Sequence, residues 1–394
     1  FAYGRDGKAA RNPALLQAAL ADVDLAYQNL ESVELGVTTV DHYFDTLGGI
    51  SRAVRRASGR ETPVYIGDQT CGKHTVRTLT EQVALETRTR MLNQLSYPYL
   101  RRAAGRLVRE NPADLIVSVH PLVNTNLMRA MRKSPRPFIT VVTDMVTTHA
   151  FWYDRRADLV VVPTEQAKER GIHFGVPEGN LRVIGLPVAD KFCRPVGDPL
   201  AFRDAQGWRR DLPVILLVGG GDGMGPVKRV AKAINEAALP ATLVVICGRN
   251  AELKADLEAL DWKMPAHLYG FTREMPAFMA ASDMLLTKAG PGTISEAFIA
   301  GLPLVLYARL PGQEDGNVTY VIEEKAGVWA PRPREVVEAA RHWVLDPAAR
   351  AEASAASRRM ARPEAARSRA APATTGRPSR IGSSPAPPDA ARPT

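Results

Sequence analysis

Lys288, Ala289, Gly290, Pro291, Gly292 and Thr293 stand directly behind the apolar run Met284–Thr287. The two glycines lack a Cβ, so the chain can turn sharply there and a ligand can come close to the backbone. The pattern predicts a helix opening at Thr293. The first N–H groups of a helix are unpaired and carry the positive end of its dipole. That is an anion site suited to a diphosphate. One strand later, beyond LPLVLY, come Gln313, Glu314 and Asn317. Side-chain amides and carboxylates donate and accept in fixed directions, which lets them tell sugar hydroxyls apart. A phosphate cradle followed by such groups implies a nucleotide-sugar site. Glu296 falls three residues after Thr293 and has two readings. Its carboxylate accepts hydrogen bonds from ribose hydroxyls, or it reaches back to the Thr293 amide in a capping box.

A second glycine cluster, Gly219, Gly220, Gly221, Gly223 and Gly225, lies between the apolar run PVILLV and the amphipathic stretch VKRVAKAINEA. A purely structural strand-to-helix turn seldom needs so many, so this loop is read as facing a ligand. In the first half, His120 follows LIVSV, Asp144 follows FITVVT, and His149 and Trp152 come soon after. All lie where strands end, which is where clefts open in α/β sheets. His120, Asp144 and His149 are the candidate catalytic groups, near the acceptor or reacting centre, with no base assigned among them. Asp22 and Asp24 resemble a metal-binding pair. They fall in a helical pattern that turns them about 200° apart, so no metal is expected.

The motif KAGPGT…EA…GLP…PGQE-x-GN is long and specific. It resembles the donor-site signature of family 28 glycosyltransferases, above all the monogalactosyldiacylglycerol synthases and the bacterial processive diacylglycerol glucosyltransferases. LIVSVHP, VVTDMVTTHAFWY, VVVPTEQAKERG, VIGLPV and VGGGDGMGP extend the likeness back to about Asp114. It is read as fading before residue 95 and after about residue 367. The resemblance implies a GT-B fold, two Rossmann-like α/β domains facing a cleft. It implies an inverting, metal-independent hexosyltransferase that needs no cofactor and uses UDP-galactose or UDP-glucose as co-substrate. The glycine loop would border the donor phosphates, the backbone at Gly270 and Phe271 would meet uracil, and Glu296 would bind ribose. Gln313, Glu314 and Asn317 would bind the hexose, and diacylglycerol would be the acceptor. A soluble or polyprenyl-lipid acceptor, a UDP-sugar-binding remnant without turnover, and more weakly an epimerase are the alternatives. Family members begin with a glycine-rich loop ending in His. Thr70–His74 partly mimics it, only 46 positions before His120, and is read as coincidental.

Short β-branched strands alternate with helical stretches from about residue 114 onward. Such near-continuous apolar strands imply parallel sheets buried on both faces. The sheet-poor segment 186–212 divides them. An N-terminal acceptor and membrane-side domain is expected over 1–190, atypical in its first 95 or so residues. A donor domain is expected over 205–360, and a Pro-, Ala- and Arg-rich disordered tail over 361–394. The 394 residues carry a net charge of +9, with arginine clusters at 52–60, 101–109 and 129–136. Such patches attract an anionic membrane surface, and no nucleic-acid-binding signature accompanies them. Three widely spaced cysteines exclude a disulfide framework. No apolar run is long enough to span a bilayer. The first residues contain no apolar signal core and no initiator Met, so the chain is read as a fragment or a processed form. The expected location is cytoplasmic, peripheral on the inner face of the membrane.

Overall fold

The computed structural model describes residues 97, 100–111, 113–220, 223 and 225–365. Thr70–His74, Asp22 and Asp24, the 52–60 arginine cluster, Gly221 and the tail from 366 lie outside the described residues.

Four short strands, β1 (Ile116–Ser118), β2 (Phe138–Val141), β3 (Leu159–Val162) and β4 (Leu181–Val183), pair in parallel and in chain order. Helices α1 (residues 100–110), α2 (Asn124–Ala130) and α3 (Glu165–His173) accompany this sheet. β2 and β3 are almost continuously buried because both faces are covered. Phe138, Val160 and Val162 point to one core, and Ile139, Val141 and Val161 to the other.

The second sheet has six parallel strands: β5 (Val214–Val218), β6 (Thr242–Ile246), β7 (Ala266–Tyr269), β8 (Met284–Lys288), β9 (Leu304–Ala308) and β10 (Gly327–Trp329). Their spatial order is β10-β9-β8-β5-β6-β7. The chain first builds outward from β5 through β6 to β7, then returns to the other side of β5 at β8. That reversal is a topological switch point, and the crevice beyond the strand ends there is where doubly wound sheets bind ligands. The two glycine-bearing loops are the ones that leave β5 and β8. VILLV alternates strictly within this frame. Ile215 and Leu217 join the core on one face, and Val214, Leu216 and Val218 join the core on the other.

The remaining helices are α4 (Pro199–Ala205), α5 (Val227–Ala237), α6 (Ala251–Glu258), α7 (Met275–Ala280), α8 (Pro291–Ala300), α9 (Asp315–Glu323), α10 (Pro333–Leu345) and α11 (Pro347–Met360). α8 opens at Pro291 with Gly290 as its N-cap, two residues before the expected start at Thr293. Proline suits that place because its missing N–H would be unpaired anyway. α11 packs along α8: the Ser354 hydroxyl donates to the Gly301 carbonyl and the Ser357 hydroxyl to that of Leu302, each at 2.7 Å. Beyond α11 the chain reaches the first half again, and the side chains of Arg362 and Ala365 close over Gly185. Residues 361–365 are therefore not part of a disordered tail: Ala365 is buried, because this return covers the connection between the sheets.

Gly327 starts β10 where no side chain fits. A Cβ there would stand 2.2 Å from the Leu304 carbonyl oxygen and 2.8 Å from Val321 Cγ1. Gly327→Ala should cost about 1–3 kcal/mol by overpacking, read as a lower melting temperature, with nucleotide affinity unchanged because the site is remote.

Candidate functional site

The loop after β8 is shaped from behind. Asn317 is almost wholly buried, and its amide donates to the Ala289 carbonyl at 2.9 Å. The Ala289 N–H in turn donates to Ala308 across the register shift that ends β8. Glu314 is buried too, with a carboxylate oxygen accepting from Leu310 N–H at 2.7 Å. Thus Ala289, Glu314 and Asn317 brace the loop. Of the three side chains expected to bind hexose, Gln313 alone lines the cleft. Glu314 and Asn317 each hold a backbone group of the loop with one polar atom, while Glu314 Oε1 lies 3.8 Å from where a Cβ on Gly290 would stand.

The α8 N-terminus has no side-chain cap. Pro291, Gly292 and Glu296 line a cavity of 720 Å³ between the two sheets. With the helix starting at Pro291, Glu296 lies in the second turn and the capping box with Thr293 does not form. The helix end is left to an anion, and Glu296 projects into the same space. Burial pushes the Glu296 carboxyl up to about 7, partly opposed by the positive charge of Lys191. Across the β5–β8 pair, Gly220, Gly223 and Gly225 have φ of 81°, 58° and 89°. Only glycine adopts such angles without strain. A Cβ on Gly220 or Gly290 would lie 3.5 or 3.7 Å from Lys288 Cε, so the lysine stem runs between the two loops. Gly219 directly follows β5. Phe271 is 45% exposed with the Arg249 guanidinium 4.7 Å from its ring centre, and Gly270 precedes it at the end of β7.

The other wall comes from the first sheet. Asp144 accepts from the Trp152 indole N–H at 2.7 Å on one oxygen and from the Gln313 amide at 2.9 Å on the other. The Gly316 N–H donates to the Thr147 hydroxyl at 2.8 Å. These bonds join the two halves across the cleft. The Asp144 charge acts on both His120 and His149, so the three candidate catalytic groups do gather. Burial nevertheless lowers the pKa of both rings against that pull, with Arg170 adding to the lowering at His149. Each ring accepts a backbone N–H at Nδ1: Leu122 on His120 at 3.3 Å, and Phe151 on His149 at 3.1 Å. A neutral imidazole accepting at Nδ1 carries its proton on Nε2, so both present donors.

The connection between the sheets forms the third wall, through Leu186–Phe192 and Arg194. Sequence reasoning took VIGLPV, up to Val188, as a family segment and the rest of this stretch as a boundary, with no binding role assigned to either. Among the described residues no three His, Cys, Asp or Glu side chains gather as a metal set.

Residues 74–188 match the family model for monogalactosyldiacylglycerol (MGDG) synthase, and residues 214–367 match the glycosyltransferase family 28 C-terminal domain. The likeness therefore begins earlier than the sequence reading placed it, at His74. Residues 1–97 match a different model, CobN/magnesium chelatase, which overlaps the MGDG synthase match over 74–97. The probable monogalactosyldiacylglycerol synthase 2 of Oryza sativa subsp. japonica is 38% identical over 263 residues, 64% of this chain and 56% of that protein. Monogalactosyldiacylglycerol synthase 2 of Arabidopsis thaliana is 38% identical over 279 residues, 68% of this chain and 59% of that protein. The chain thus spans little more than half the length of these curated relatives. Among solved structures, the S. aureus MnaA–UDP complex is similar at TM-score 0.55 and 14% identity, covering 90% of this chain and 91% of that one. Acinetobacter baumannii MurG is similar at 0.50 and 16%, covering 80% and 85%. At such identities the likeness shows the fold alone, which is the expected GT-B arrangement.

Glu296 has a folded pKa raised above its unfolded value, so the native state holds this proton more tightly than the unfolded chain does. Stability is then lost as pH rises from about 4.5 through about 7. Glu296→Gln should raise the melting temperature at pH 8, by about 1–3 kcal/mol of stability, and give no gain at pH 4. The same variant should weaken UDP binding if the carboxylate serves ribose. Unchanged affinity with the stability gain intact would remove Glu296 from the nucleotide site. By these matches the chain carries a glycosyltransferase family 28 C-terminal domain behind a monogalactosyldiacylglycerol synthase segment, and it stands among the relatives of that family.

Proposed function

We propose that this chain moves a hexose from a UDP-sugar to diacylglycerol with inversion at the anomeric carbon. The observation that carries this reading is the uncapped α8 N-terminus, opening with Gly292, Glu296 and Gln313 onto one cavity that Asp144 closes from the other side. The family match supports the lipid acceptor. Galactose is favoured over glucose by the names of the relatives, and a structure of similar fold, S. aureus MnaA, is a complex with UDP.

In this reading the diphosphate sits on the α8 N–H groups and the glycine loops. Their fixed dipoles stabilise charge as it grows on the leaving phosphate, and no divalent metal is required. Holding both substrates across the cleft lowers the entropic part of the barrier. The acceptor hydroxyl attacks C1 in a single displacement, its proton passes to a base, and UDP leaves. Asp144 is that base. Each of its oxygens keeps a second lone pair beside the bond it already accepts, whereas His120 and His149 hold Nε2 protons and act as donors. Gln313 is the side chain placed to read the hexose.

Incubation with UDP-galactose or UDP-glucose and diacylglycerol vesicles should yield a glycolipid. UDP binding without product would favour a binding remnant, product only on another acceptor would replace diacylglycerol, and free isomerised donor would indicate an epimerase. Asp144→Asn should abolish turnover by about 100-fold or more while keeping UDP affinity within about threefold; retained turnover moves the base elsewhere.

The membrane side of the reading is a peripheral, electrostatic association. Arg101, Arg102, Arg106 and Arg109 are exposed on α1. Arg102, Arg106 and Arg109 recur at the spacing of one helix face. Among the described residues no helix is long and apolar enough to cross a membrane. Each basic residue near an anionic surface is worth about 1 kcal/mol. Binding to phosphatidylglycerol vesicles should fall steeply with salt, and replacing these four arginines by Gln should weaken it without changing UDP affinity. Equal binding to neutral and anionic vesicles would remove this support.

A further inference from the structure

Lys191 belongs to neither sheet. It sits in the short 3-10 turn Asp190–Phe192 of the connection, and its side chain points into the donor cavity. Its ammonium lies 3.5 Å from the Arg273 carbonyl, in the loop that follows Gly270 and Phe271. Its charge also acts on Glu296 in α8. It therefore stands between the segment expected to meet the base and the helix end expected to meet the phosphates.

Two cations, Lys191 and Arg194, and three acidic side chains, Asp144, Asp190 and Glu296, line the cavity. Arg194 is ion-paired with the buried Asp190, and Asp144 accepts from Trp152 and Gln313. Lys191 is exposed. Its contact with the Arg273 carbonyl is at the outer limit of a hydrogen bond. Its carboxylate neighbour Glu296, raised to about 7, is only part ionised at neutral pH. An ammonium offers three donors on a flexible stem; here it reaches the Arg273 carbonyl and stands 5.7 Å from the Phe192 ring centre, which leaves donors for a ligand. Directly across from it is the uncapped helix N-terminus, where Gly292 leaves room for a ligand to reach the backbone.

We propose that Lys191 is a ligand of the donor diphosphate, delivered by the interdomain connection, so that nucleotide occupancy also fixes the position of that connection. This rests on the nucleotide-sugar reading of the cavity and adds a residue that the donor motif does not contain. A charge-assisted contact between ammonium and phosphate is strong when partly shielded. Because it arises from the connection, the same bond ties the second sheet's ligand to the segment about which the halves would swing.

The test uses the full chain and compares UDP, by calorimetry, with uridine, by ligand-observed NMR, for wild type, Lys191→Ala and Lys191→Arg. Loss of UDP affinity by roughly tenfold or more in Lys191→Ala, partial recovery in Lys191→Arg, and uridine affinity unchanged within about twofold would establish the contact. Lys191 is exposed, so all three proteins should fold alike, which their melting temperatures check. Equal losses for UDP and uridine would mean that Lys191 only shapes the cavity through Glu296, and unchanged UDP affinity would mean that it makes no contact; either overturns this inference and leaves the donor site standing. Wild type that binds no UDP would overturn the donor reading itself, and this inference with it.

Discussion

The structure turns on one helix end left without a cap. α8 begins at the switch point of the six-stranded sheet, where the chain has reversed its direction of growth and neighbouring loops part. A helix N-terminus in such a place carries partial positive charge and N–H groups that no side chain satisfies. Everything nearby is arranged around that need. Asn317 holds the Ala289 carbonyl, Glu314 holds Leu310, and the glycines of the β5 loop take left-handed angles so that their backbone can lie close. The buried side chains of the motif shape the loop.

The cleft is closed by few bonds. Asp144 meets Gln313, and Thr147 meets Gly316, from opposite halves. Gly316 could not be replaced freely, since a Cβ there would stand 2.4 Å from the Thr147 hydroxyl. Hydrogen bonds at an exposed cleft contribute only about 0.5–1.5 kcal/mol each, so a ligand's own contacts can replace them. Asp144 is therefore a latch between the halves that also lines the cavity.

Glu296 illustrates what a site costs its fold. A carboxyl pushed up to about 7 by burial is less stable ionised in the native chain than it would be in water. Such perturbed groups gather at functional sites. Here the carboxyl lies beside Lys191, on a segment outside the donor motif.

Much of this was legible in one dimension. The inner strands, such as VILLV and TLVVI, carry their burial in their composition, because a parallel strand covered on both faces must be apolar throughout. The donor loop was legible because glycine, proline and a polar cluster at fixed spacing are demanded locally by backbone angle and helix chemistry. The start of α8 was misjudged by two residues, since the cap is a glycine whose role no side chain announces. Local pattern also could not tell Gln313, which faces the cleft, from Glu314 and Asn317, which face the loop behind it. Their direction depends on where α9 packs. The convergence of His120, Asp144 and His149 and the placement of Lys191 against Glu296 join residues separated by many positions. Those relations exist only after the two sheets have closed on one cavity, because they depend on distance through space and on burial, which spacing along a chain does not encode.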